Sequence, residues 1–471
     1  MVASEATPFA KTGGLADVIG ALPRALKSQG DQPAVVLPLY PSAERFLANS
    51  SRVYDSLPLW LGSTRWNADI RLLMHDGIPF YFVDCPRLYR RDGVYGTPNG
   101  DYPDNHIRFA ALCYAALGIA RYLFRPDIIH CHDWQTAALA PLLKFRFQGD
   151  PTFMAMKTLL TIHNLGYQGL FGRTALTEIG LDDGLFHPGA LEFYGKVNLL
   201  KGGILFSDAL STVSKGYAKE VQTPEHGFGL DDLLRARADS LTGIVNGVDY
   251  TEWSPEHDAH IAANYTSSDL SGKKACKRDL LATFGLPAGK AEMGRPLIGI
   301  VSRFAGQKGF DLIEDIAADL TAEDVAMVVI GSGDARYEDV FRSLAVTHPG
   351  RFAVKVAYSE AVAHKVEAGA DVFLMPSRYE PCGLNQIYSL RYGTIPIVRA
   401  TGGLDDTIDG ETGFKFREYS GSALLEAIRA ALAAFRDKKS WREMMANGMK
   451  KNFSWDASAV EYSALYRRLI G

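Results

Sequence analysis

A glycine-rich loop that begins with a lysine lies near the start of the sequence and has the composition of a phosphate-binding segment. The loop reads Lys11-Thr12-Gly13-Gly14-Leu15-Ala16-Asp17 and precedes an apolar stretch that we predict to be helical as far as Leu26. Paired glycines let the backbone approach a ligand closely, and the free N–H groups at a helix start attract an anion. Lys11 would add a full positive charge. A plain glycine turn with a solvated lysine has the same composition, so this loop alone does not decide between the two.

Two loops in the second half have matching chemistry. Thr401-Gly402-Gly403-Leu404 follows a predicted strand at 395–398 and would supply a second set of backbone donors for a diphosphate. Arg303 and Lys308 follow a predicted strand at 297–301. A guanidinium binds phosphate through two parallel hydrogen bonds, and an ammonium adds a point charge. Such basic pairs are more often simply solvated, but their position beside the Thr401 loop favours phosphate binding.

A glutamate, Glu380, follows another predicted strand within Pro376-Ser377-Arg378-Tyr379-Glu380-Pro381-Cys382-Gly383-Leu384, just before a predicted helix at 385–392. A carboxylate in that place accepts hydrogen bonds from sugar hydroxyls or acts as an acid or base. The alternative is a carboxylate that caps the helix or pairs with its dipole. The residue pattern alone favours this structural alternative.

Histidines and an aspartate end two predicted strands of the first half, in His130-Cys131-His132-Asp133-Trp134 and Thr161-Ile162-His163-Asn164. His130 and His132 would share one strand face, but no third ligand with a recognisable spacing accompanies them. We therefore predict no metal site and interpret His130 as a core residue. Asp133 and His163 lie where a sugar would rest, because polar groups over an open cleft orient hydroxyls.

The elements that must position these loops alternate in type along the chain. Short apolar runs predict buried strands, amphipathic runs predict helices, and residues 75–77 predict a glycine turn between strands at 72–74 and 78–83. This alternation is typical of a parallel sheet covered by helices on both faces, and a polar stretch at 250–293 interrupts it. We predict two doubly wound α/β domains joined near residues 241–250. The other strands are predicted at 34–37, 127–131, 158–162, 209–213, 297–301, 325–330, 352–356, 372–375 and 395–398, and helices at 105–123, 134–147, 311–320 and 422–435.

The composition argues against several classes of protein. A net charge of -4 offers no overall attraction to nucleic acid or to an anionic membrane. Five scattered cysteines without a CxxC pair argue against a disulfide framework or a zinc cluster. The first ten residues lack the form of a secretory signal, and no apolar run approaches the roughly 20 residues of a membrane span. We predict a cytoplasmic protein with no nucleic-acid or membrane partner.

A partial dinucleotide-binding pattern, Gly331-Ser332-Gly333, lacks its third glycine because Arg336 occupies that place. A lone partial match is weak evidence, so NAD is disfavoured. We predict no cofactor.

Together these segments resemble the bacterial glycogen synthases and the related starch synthases. The resemblance runs almost end to end, and the ordered set of motifs is highly specific. The matching segments are KTGGLADV at 11–18, DYPDN at 101–105, HDWQ at 132–135, TIHN at 161–164, NGVD at 246–249, SRFAGQKG at 302–309, PSRYEPCGLNQ at 376–386, LRYG at 390–393 and TGGL at 401–404.

The resemblance implies a GT-B architecture, in which two Rossmann-like domains with doubly wound parallel sheets face an interdomain cleft. Residues 1–241 would form the N-terminal domain on the side of the acceptor glucan. Residues 242–455 would form the C-terminal domain on the side of the nucleotide-sugar donor. Residues 456–471 would form a C-terminal helix that returns to the first domain, and the oligomeric state stays open.

The implied reaction is transfer of glucose from ADP-glucose to the non-reducing 4-hydroxyl of glycogen or another α-1,4-glucan primer. The anomeric configuration would be retained, and no divalent metal would take part. Carried over by position, the catalytic residues would be Lys11, His163, Arg303, Lys308 and Glu380. The three cations would neutralise the diphosphate, and the carbonyl group of His163 would face the anomeric carbon.

The remaining positions implied by the resemblance bind the donor. The glucose hydroxyls would be held by Glu380 and His163 together with Asp133 and Asn246. Backbone donors and further contacts would come from Gly14, Asp17, Cys382, Gly383, Leu384, Thr401, Gly402 and Gly403.

Two alternatives stay open on the sequence. The first is a different enzyme on the same fold, such as sucrose synthase or a glucan phosphorylase, which needs pyridoxal phosphate on a lysine. The second is a non-catalytic glucan-binding or regulatory protein, against which the intact charged loops speak. No residue by itself decides between ADP-glucose and UDP-glucose.

Overall fold

Two separate units of alternating strands and helices make up the computed structural model, which describes residues 1–97, 99–357 and 359–471. The chain passes from the first unit to the second between Gly247 and Val248 and returns to the first between Ser454 and Trp455. The first unit comprises Met1–Val213, Ala218–Gly247 and Trp455–Gly471, and the second comprises Ser214–Tyr217 and Val248–Ser454.

The first unit contains thirteen of the described strands and most of the short connecting helices. Its strands are β1 Val35–Pro38, β2 Ser51–Leu61, β3 Thr64–His75, β4 Ile78–Asp84, β5 Gly96–Thr97, β6 Gly100–Asp101, β7 Ile128–His132, β8 Lys157–Ile162, β9 Leu170–Phe171, β10 Glu192–Phe193, β11 Lys196–Asn198, β12 Ala209–Thr212 and β13 Leu241–Gly243. Its helices up to residue 247 are α1 Gly14–Ser28, α2 Pro86–Tyr89, α3 Asn105–Tyr122, α4 Asp133–Ala137, α5 Leu139–Pro141, α6 Ala175–Glu178, α7 Leu199–Phe206, α8 Lys215–Glu220 (which begins in the second unit) and α9 Asp231–Ala236.

A central sheet runs through the first unit in two halves. Strands β7, β8, β12 and β13 lie parallel, and β1 pairs in parallel with β4. The predicted hairpin is confirmed, since β3 and β4 are antiparallel with His75 opposite Ile78. Val2 bridges Val36 on one side and Cys131 on the other, so the N-terminal residues join the two halves. The loop at Lys11 therefore leaves the middle of the sheet, beside the loops that follow β7 and β8.

The second unit repeats the strand–helix alternation more regularly. Its strands are β14 Leu297–Val301, β15 Ala326–Gly331, β16 Phe352–Val356, β17 Val372–Met375, β18 Ile395–Arg399 and β19 Phe414–Phe416. Its helices are α10 Ser271–Thr283, α11 Lys290–Gly294, α12 Phe310–Asp315, α13 Ala317–Ala322, α14 Ala335–Thr347, α15 Glu360–Gly369, α16 Asn385–Arg391, α17 Gly402–Thr407, α18 Gly421–Arg436 and α19 Lys438–Lys450.

The sheet of the second unit has a point where the strand order reverses. Its described strands are all parallel and lie in the order β16-β15-β14-β17-β18-β19. Strands β14, β15 and β17 are apolar runs buried along nearly their whole length, as expected for a sheet covered on both faces. The order reverses between β14 and β17, and ligands of such sheets bind outside the carboxyl ends of the strands at this point. The predicted doubly wound α/β fold is confirmed here.

The last helix, α20 Trp455–Ile470, belongs to the first unit and packs against α1. Ala459, Tyr462 and Leu465 share one apolar cluster with Val18 and Leu22 of α1. Five apolar side chains of two helices thus hold the C-terminal segment against the first unit. Among the described residues, no helix is long and apolar enough to cross a membrane.

Two helices differ from the sequence-based prediction. The helix predicted at 134–147 is broken into α4, α5 and a π-helical turn at Leu142–Arg146. Pro141 has no backbone N–H to donate, and the chain widens directly after it. The helix predicted at 311–320 is interrupted at Ile316, where the backbone leaves helical geometry between α12 and α13. Neither break moves a predicted site residue.

Candidate active site

The loop at Lys11 is held in place by a buried carboxylate. Glu5 is 3% exposed, and it accepts hydrogen bonds from the backbone N–H and the hydroxyl of Thr12 and from the backbone N–H of Gly13. Burial raises the pKa of Glu5, and these hydrogen bonds oppose the rise. Sequence reasoning missed Glu5, and the available signal was a lone acidic residue in an otherwise apolar segment before the glycines.

The exposed side of this loop carries charge and open space. Lys11 Nζ lies 2.7 Å from Asp17 Oδ1, with 46% and 30% of their side chains exposed. A methyl group added at Gly14 would meet no atom within 4 Å. The glycine is therefore not required by packing within the protein, and its bare backbone leaves room for a ligand at the start of α1.

Asp133 and His163 are brought together by the ends of β7 and β8. Asp133 Oδ1 accepts a 2.7 Å hydrogen bond from the backbone N–H of His163, and the Asp133 carboxylate also accepts one from the backbone N–H of Asn164. Asp133 has a left-handed backbone with φ of 57°, a conformation that aspartate tolerates better than most residues. Burial raises the pKa of Asp133 to about 7. This carboxyl group therefore keeps its proton to a higher pH than an ordinary aspartate does.

Three histidines line the same strand ends and carry no charge at neutral pH. His132 Nδ1 lies 3.0 Å from His163 Nε2, and the centroid of the His132 ring lies 4.1 Å from that of His130, with the two ring planes tilted by 33°. Burial lowers the pKa of His163 to about 3 and that of His132 well below its usual value. His130 is buried and bonded to Tyr466 and Thr161, so its interpretation as a core residue is confirmed. The sequence suggested His132 only as a candidate metal ligand and predicted no role for it beside His163.

Asn246 follows β13 at the end of the first unit. Its side chain is 7% exposed, and its Oδ1 atom has no hydrogen-bond partner in the described part of the chain. A buried acceptor without a partner is costly, so this atom is poised to receive a donor such as a hydroxyl group. No group of three or more His, Cys, Asp or Glu residues in ranges 1–97, 99–357 and 359–471 is arranged to hold a metal ion.

The charged residues of the second unit gather at the reversal point of its sheet. Arg303 follows β14 and is exposed, and its side chain has no partner among residues 1–97, 99–357 and 359–471. Lys308 Nζ lies 2.6 Å from Glu380 Oε2, with 20% and 8% of their side chains exposed. Glu380 Oε2 also accepts a 3.0 Å hydrogen bond from Ser377. The sequence predicted separate tasks for Lys308 and Glu380, and the structure joins them in a pair.

Two backbone amides after Glu380 are open. The N–H groups of Gly383 and Leu384 donate to no acceptor in the described ranges of the chain, and Gly383 has a left-handed φ of 72°. Cys382, whose side chain is 5% exposed, precedes them. The open amides and the Arg303 guanidinium follow β17 and β14, the two strands between which the strand order reverses. This end of the sheet therefore offers donors suited to an anion.

The Thr401 loop was expected to offer backbone N–H groups to a diphosphate, but two of these groups are bonded within the protein. The N–H of Thr401 donates to Arg399 at 2.9 Å, and that of Gly403 donates to the backbone oxygen of Glu380 at 3.1 Å. A methyl group at Gly403 would lie 2.2 Å from the carbonyl oxygen of Cys382. Glycine is thus required here by packing, and the loop, with Gly402 at the start of α17, supports the segment that carries Glu380.

Family models and relatives cover nearly the whole chain. Residues 1–236 match the starch synthase catalytic domain, and residues 287–450 match the glycosyl transferases group 1. The chain is 52% identical over 474 residues to a glycogen synthase of Koribacter versatilis, which covers 99% of this chain and 97% of that protein. It is 44% identical over 477 residues to a glycogen synthase of Geotalea daltonii, covering 100% of this chain and 98% of that one.

Solved structures agree in fold. The catalytic domain of starch synthase IV from Arabidopsis thaliana, bound to ADP and acarbose, has a TM-score of 0.89 and 32% identity over 100% of this chain and 98% of that one. A sucrose-phosphate synthase from Thermosynechococcus elongatus has a TM-score of 0.62 at 18% identity over 99% and 98% of the two chains, which supports the fold alone. With its GT-B fold and its full-length likeness to these relatives, the chain belongs to the glycogen synthase and starch synthase family of glycosyltransferases.

Proposed function

We propose that this chain transfers glucose from ADP-glucose to the non-reducing 4-hydroxyl of an α-1,4-glucan, with retention at the anomeric carbon. The family membership supports the reaction, and the starch synthase IV structure bound to ADP supports the donor nucleotide. The observation that carries the proposal is the set of anion-binding groups at the reversal point of the second unit's sheet. There, Arg303 and the amides of Gly383 and Leu384 are without partners in the described ranges.

The diphosphate of the donor is the natural ligand of these groups. Arg303 binds phosphate oxygens through its planar donors, and the two open amides add neutral hydrogen bonds. Lys308 brings a charge that its pairing with Glu380 holds in place. Negative charge grows on ADP as it leaves, and donors fixed in advance stabilise that charge without reorganisation. Lys11 adds positive charge to the same leaving group, and Asp17 orients its ammonium group. The bare backbone of Gly14 leaves room for the diphosphate.

The glucose of the donor is held by polar groups that are mostly uncharged. Asp133 and Asn246 accept hydrogen bonds from hydroxyls, and His163 offers a neutral imidazole and its backbone carbonyl. Glu380 accepts a hydroxyl hydrogen bond on the oxygen that is less engaged by Lys308 and Ser377. Cys382, Thr401, Gly402 and Gly403 shape the segment that presents Glu380.

Retention follows a path on one face of the sugar. The bond from the anomeric carbon to the diphosphate breaks, and positive charge develops at that carbon beside the carbonyl of His163. The acceptor hydroxyl then forms the new bond on the same face, and its proton passes to the leaving phosphate. This path needs no protein nucleophile.

We further propose that the acceptor glucan binds on the side of the first unit and that the second unit binds the diphosphate of the donor. The cytoplasmic location inferred from the sequence stays a prediction.

The test is an assay of ADP release from ADP-glucose in the presence of glycogen. We expect release to depend on glycogen and to exceed that from UDP-glucose in a parallel reaction. Loss of activity in Arg303→Gln, with an unchanged melting temperature, would support the assigned site. An absence of glycogen-dependent release above that of the Lys11→Ala variant would refute the proposed reaction.

A further inference from the structure

Exposed aromatic side chains gather on three loops of the first unit. Tyr167 is 58% exposed, Tyr194 is 84% exposed and Phe228 is 40% exposed. Phe193 is half-buried, and its ring meets that of Tyr194 edge to face with centroids 4.6 Å apart. Exposed apolar surface of this kind is unfavourable in water and commonly marks a binding site. We call these four residues the aromatic platform.

The platform is continuous with the loop that carries His163. Asn164 Oδ1 accepts a 3.0 Å hydrogen bond from the backbone N–H of Gly166. A methyl group at Gly166 would lie 3.6 Å from the ring of Phe228, so the two loops are in contact. Gln168 Nε2 donates to the backbone oxygen of Phe228 at 3.1 Å. The proposed glucose-holding residue and the exposed rings therefore belong to one connected surface.

The third loop joins the other two through Gly229. A methyl group at Gly229 would approach the ring of Phe193 to 2.9 Å and that of Tyr194 to 3.4 Å. The side chain of Asn198, just after this loop, donates a 2.6 Å hydrogen bond to Gln168 Oε1. Hydrogen bonds and close packing thus fix the relative positions of the three loops that carry these rings.

Two of the exposed rings stand on an unfavourable backbone. Tyr194 has a φ of 48° and Phe228 a φ of 50°. This left-handed region is uncommon for residues other than glycine, asparagine and aspartate, and bulky side chains adopt it at a cost. Backbone strain of this kind concentrates at functional sites. Folding stability alone would favour glycine or asparagine at both positions, so the strain points to a role for these rings other than stability.

We propose that the aromatic platform binds glucose units of the α-glucan acceptor, an inference that rests on the proposed function. The faces of a glucose ring carry C–H groups while its hydroxyls point outward, so a ring stacks on an aromatic side chain and keeps its hydroxyls hydrated. Several rings in series suit a polymer with repeating sugar units. The hydrogen bond from Gly166 to Asn164 places the aromatic platform next to the loop of His163. In the proposed reaction, the end of the acceptor glucan reacts beside His163.

The experiment compares substitutions that remove a ring and keep the backbone. Asparagine tolerates the left-handed region, so Tyr194→Asn and Phe228→Asn remove the rings without adding strain. Tyr194→Phe keeps the ring. The matched control is Tyr122→Ala, since Tyr122 is 57% exposed and packs on Tyr54 at the end of α3. Each full-length variant is assayed with glycogen, with a short maltooligosaccharide and with varied ADP-glucose, and its melting temperature is measured.

Each asparagine variant is expected to raise the KM for glycogen about tenfold, as loss of a stacked ring would. The KM for ADP-glucose is expected to stay at the wild-type value. The melting temperature is expected to stay the same or to rise, because asparagine relieves the backbone strain. The KM for the short acceptor should change less than that for glycogen, and Tyr194→Phe and Tyr122→Ala should behave as wild type. An unchanged KM for glycogen in both asparagine variants would overturn the proposal. An equal rise in both KM values would also overturn it, because the loop and not the ring would then be responsible.

Failure of the platform and failure of the proposed reaction are separable. Retardation of the protein in gels that contain glycogen measures glucan binding without any donor. If the wild-type protein is retarded and releases no ADP, the reaction is refuted while the variants still test the platform. If all variants are retarded like the wild type, the platform is refuted whatever the activity.

Discussion

The two units place opposite kinds of group at the ends of their sheets. In the first, burial keeps His132 and His163 neutral and brings the pKa of Asp133 to about 7. In the second, Arg303 is exposed and Lys308 is paired with Glu380, so full charges stand at the sheet end. Desolvation favours the neutral form of a group, whereas exposure or pairing preserves its charge. The first unit is thereby suited to neutral hydroxyls and the second to an anionic diphosphate.

The largest expected effect tests the charged side of this comparison. Arg303→Gln removes a guanidinium that has no partner in the described part of the chain, and we expect kcat/KM for ADP-glucose to fall about 10³-fold, as for loss of a fixed donor to developing charge. The melting temperature should not change, because Arg303 has no partner within the described ranges to lose.

Lys308→Gln should produce a similar loss of activity and, unlike Arg303→Gln, a loss of stability. It leaves Glu380, 8% exposed, without its ion-pair partner. We expect the free energy of unfolding to drop by about 2 kcal/mol, less than for a fully buried pair because Lys308 is 20% exposed. The free energies of unfolding of Arg303→Gln and Lys308→Gln, measured with a denaturant, show whether only Lys308→Gln is destabilised. Equal stability would show that the pair contributes nothing to the fold.

The third prediction tests the neutral side of the comparison through the pH dependence of activity. If the carboxylate of Asp133 must accept hydroxyl hydrogen bonds, kcat/KM should fall as pH drops below about 7, reaching about a hundredfold loss at pH 5. Asp133→Asn should have a lower but flat profile over this range. His163 does not titrate there, since its pKa is about 3. If kcat/KM of Asp133→Asn still falls as the pH drops below about 7, a group other than Asp133 is responsible for the pH dependence.

The same group makes a prediction for stability with a definite sign. The folded-state pKa of Asp133 lies above the unfolded value of 3.8, so the folded chain binds this proton more tightly. The stabilisation that comes from this tighter proton binding at Asp133 is therefore lost as the pH rises from about 4 to about 7. The wild-type melting temperature should decrease relative to that of Asp133→Asn over this window.

Sequence patterns were informative where a feature is local. Apolar runs marked β14, β17 and β18, and the glycine and basic loops after them were recognised because strand ends and loop chemistry lie within a few residues. The pairing of Lys308 with Glu380 spans 72 residues and appears only when β14 and β17 lie side by side. Glu5 and the aromatic platform were missed for the same reason, because burial and exposure depend on contacts distant in sequence. The break in the helix predicted at 134–147 has a local cause, Pro141. It was missed because the apolar residues on both sides of Pro141 keep helical spacing.

A smaller effect is expected at His132, which acts through His163. Its Nδ1 lies 3.0 Å from His163 Nε2, and its side chain is fully buried. His132→Phe keeps the stacked ring and removes the hydrogen bond, so we expect kcat to fall about tenfold with little change in the KM for ADP-glucose. His132→Asn, which retains a polar atom near the ring nitrogen, should recover part of the loss. A purely structural role would lower the melting temperature and leave kcat unchanged.

The smallest expected effect concerns a lysine–carboxylate pair of the first unit, Lys11 with Asp17. Both side chains are substantially exposed, so water screens their attraction in a way that it does not for Lys308 and Glu380. Asp17→Asn should change the free energy of unfolding by less than about 0.5 kcal/mol, as for surface ion pairs in general. The same substitution should lower kcat/KM only a few-fold, because Lys11 keeps its charge and loses one carboxylate that orients it. A loss of activity as large as that of Arg303→Gln would mean that Asp17 contacts the substrate itself.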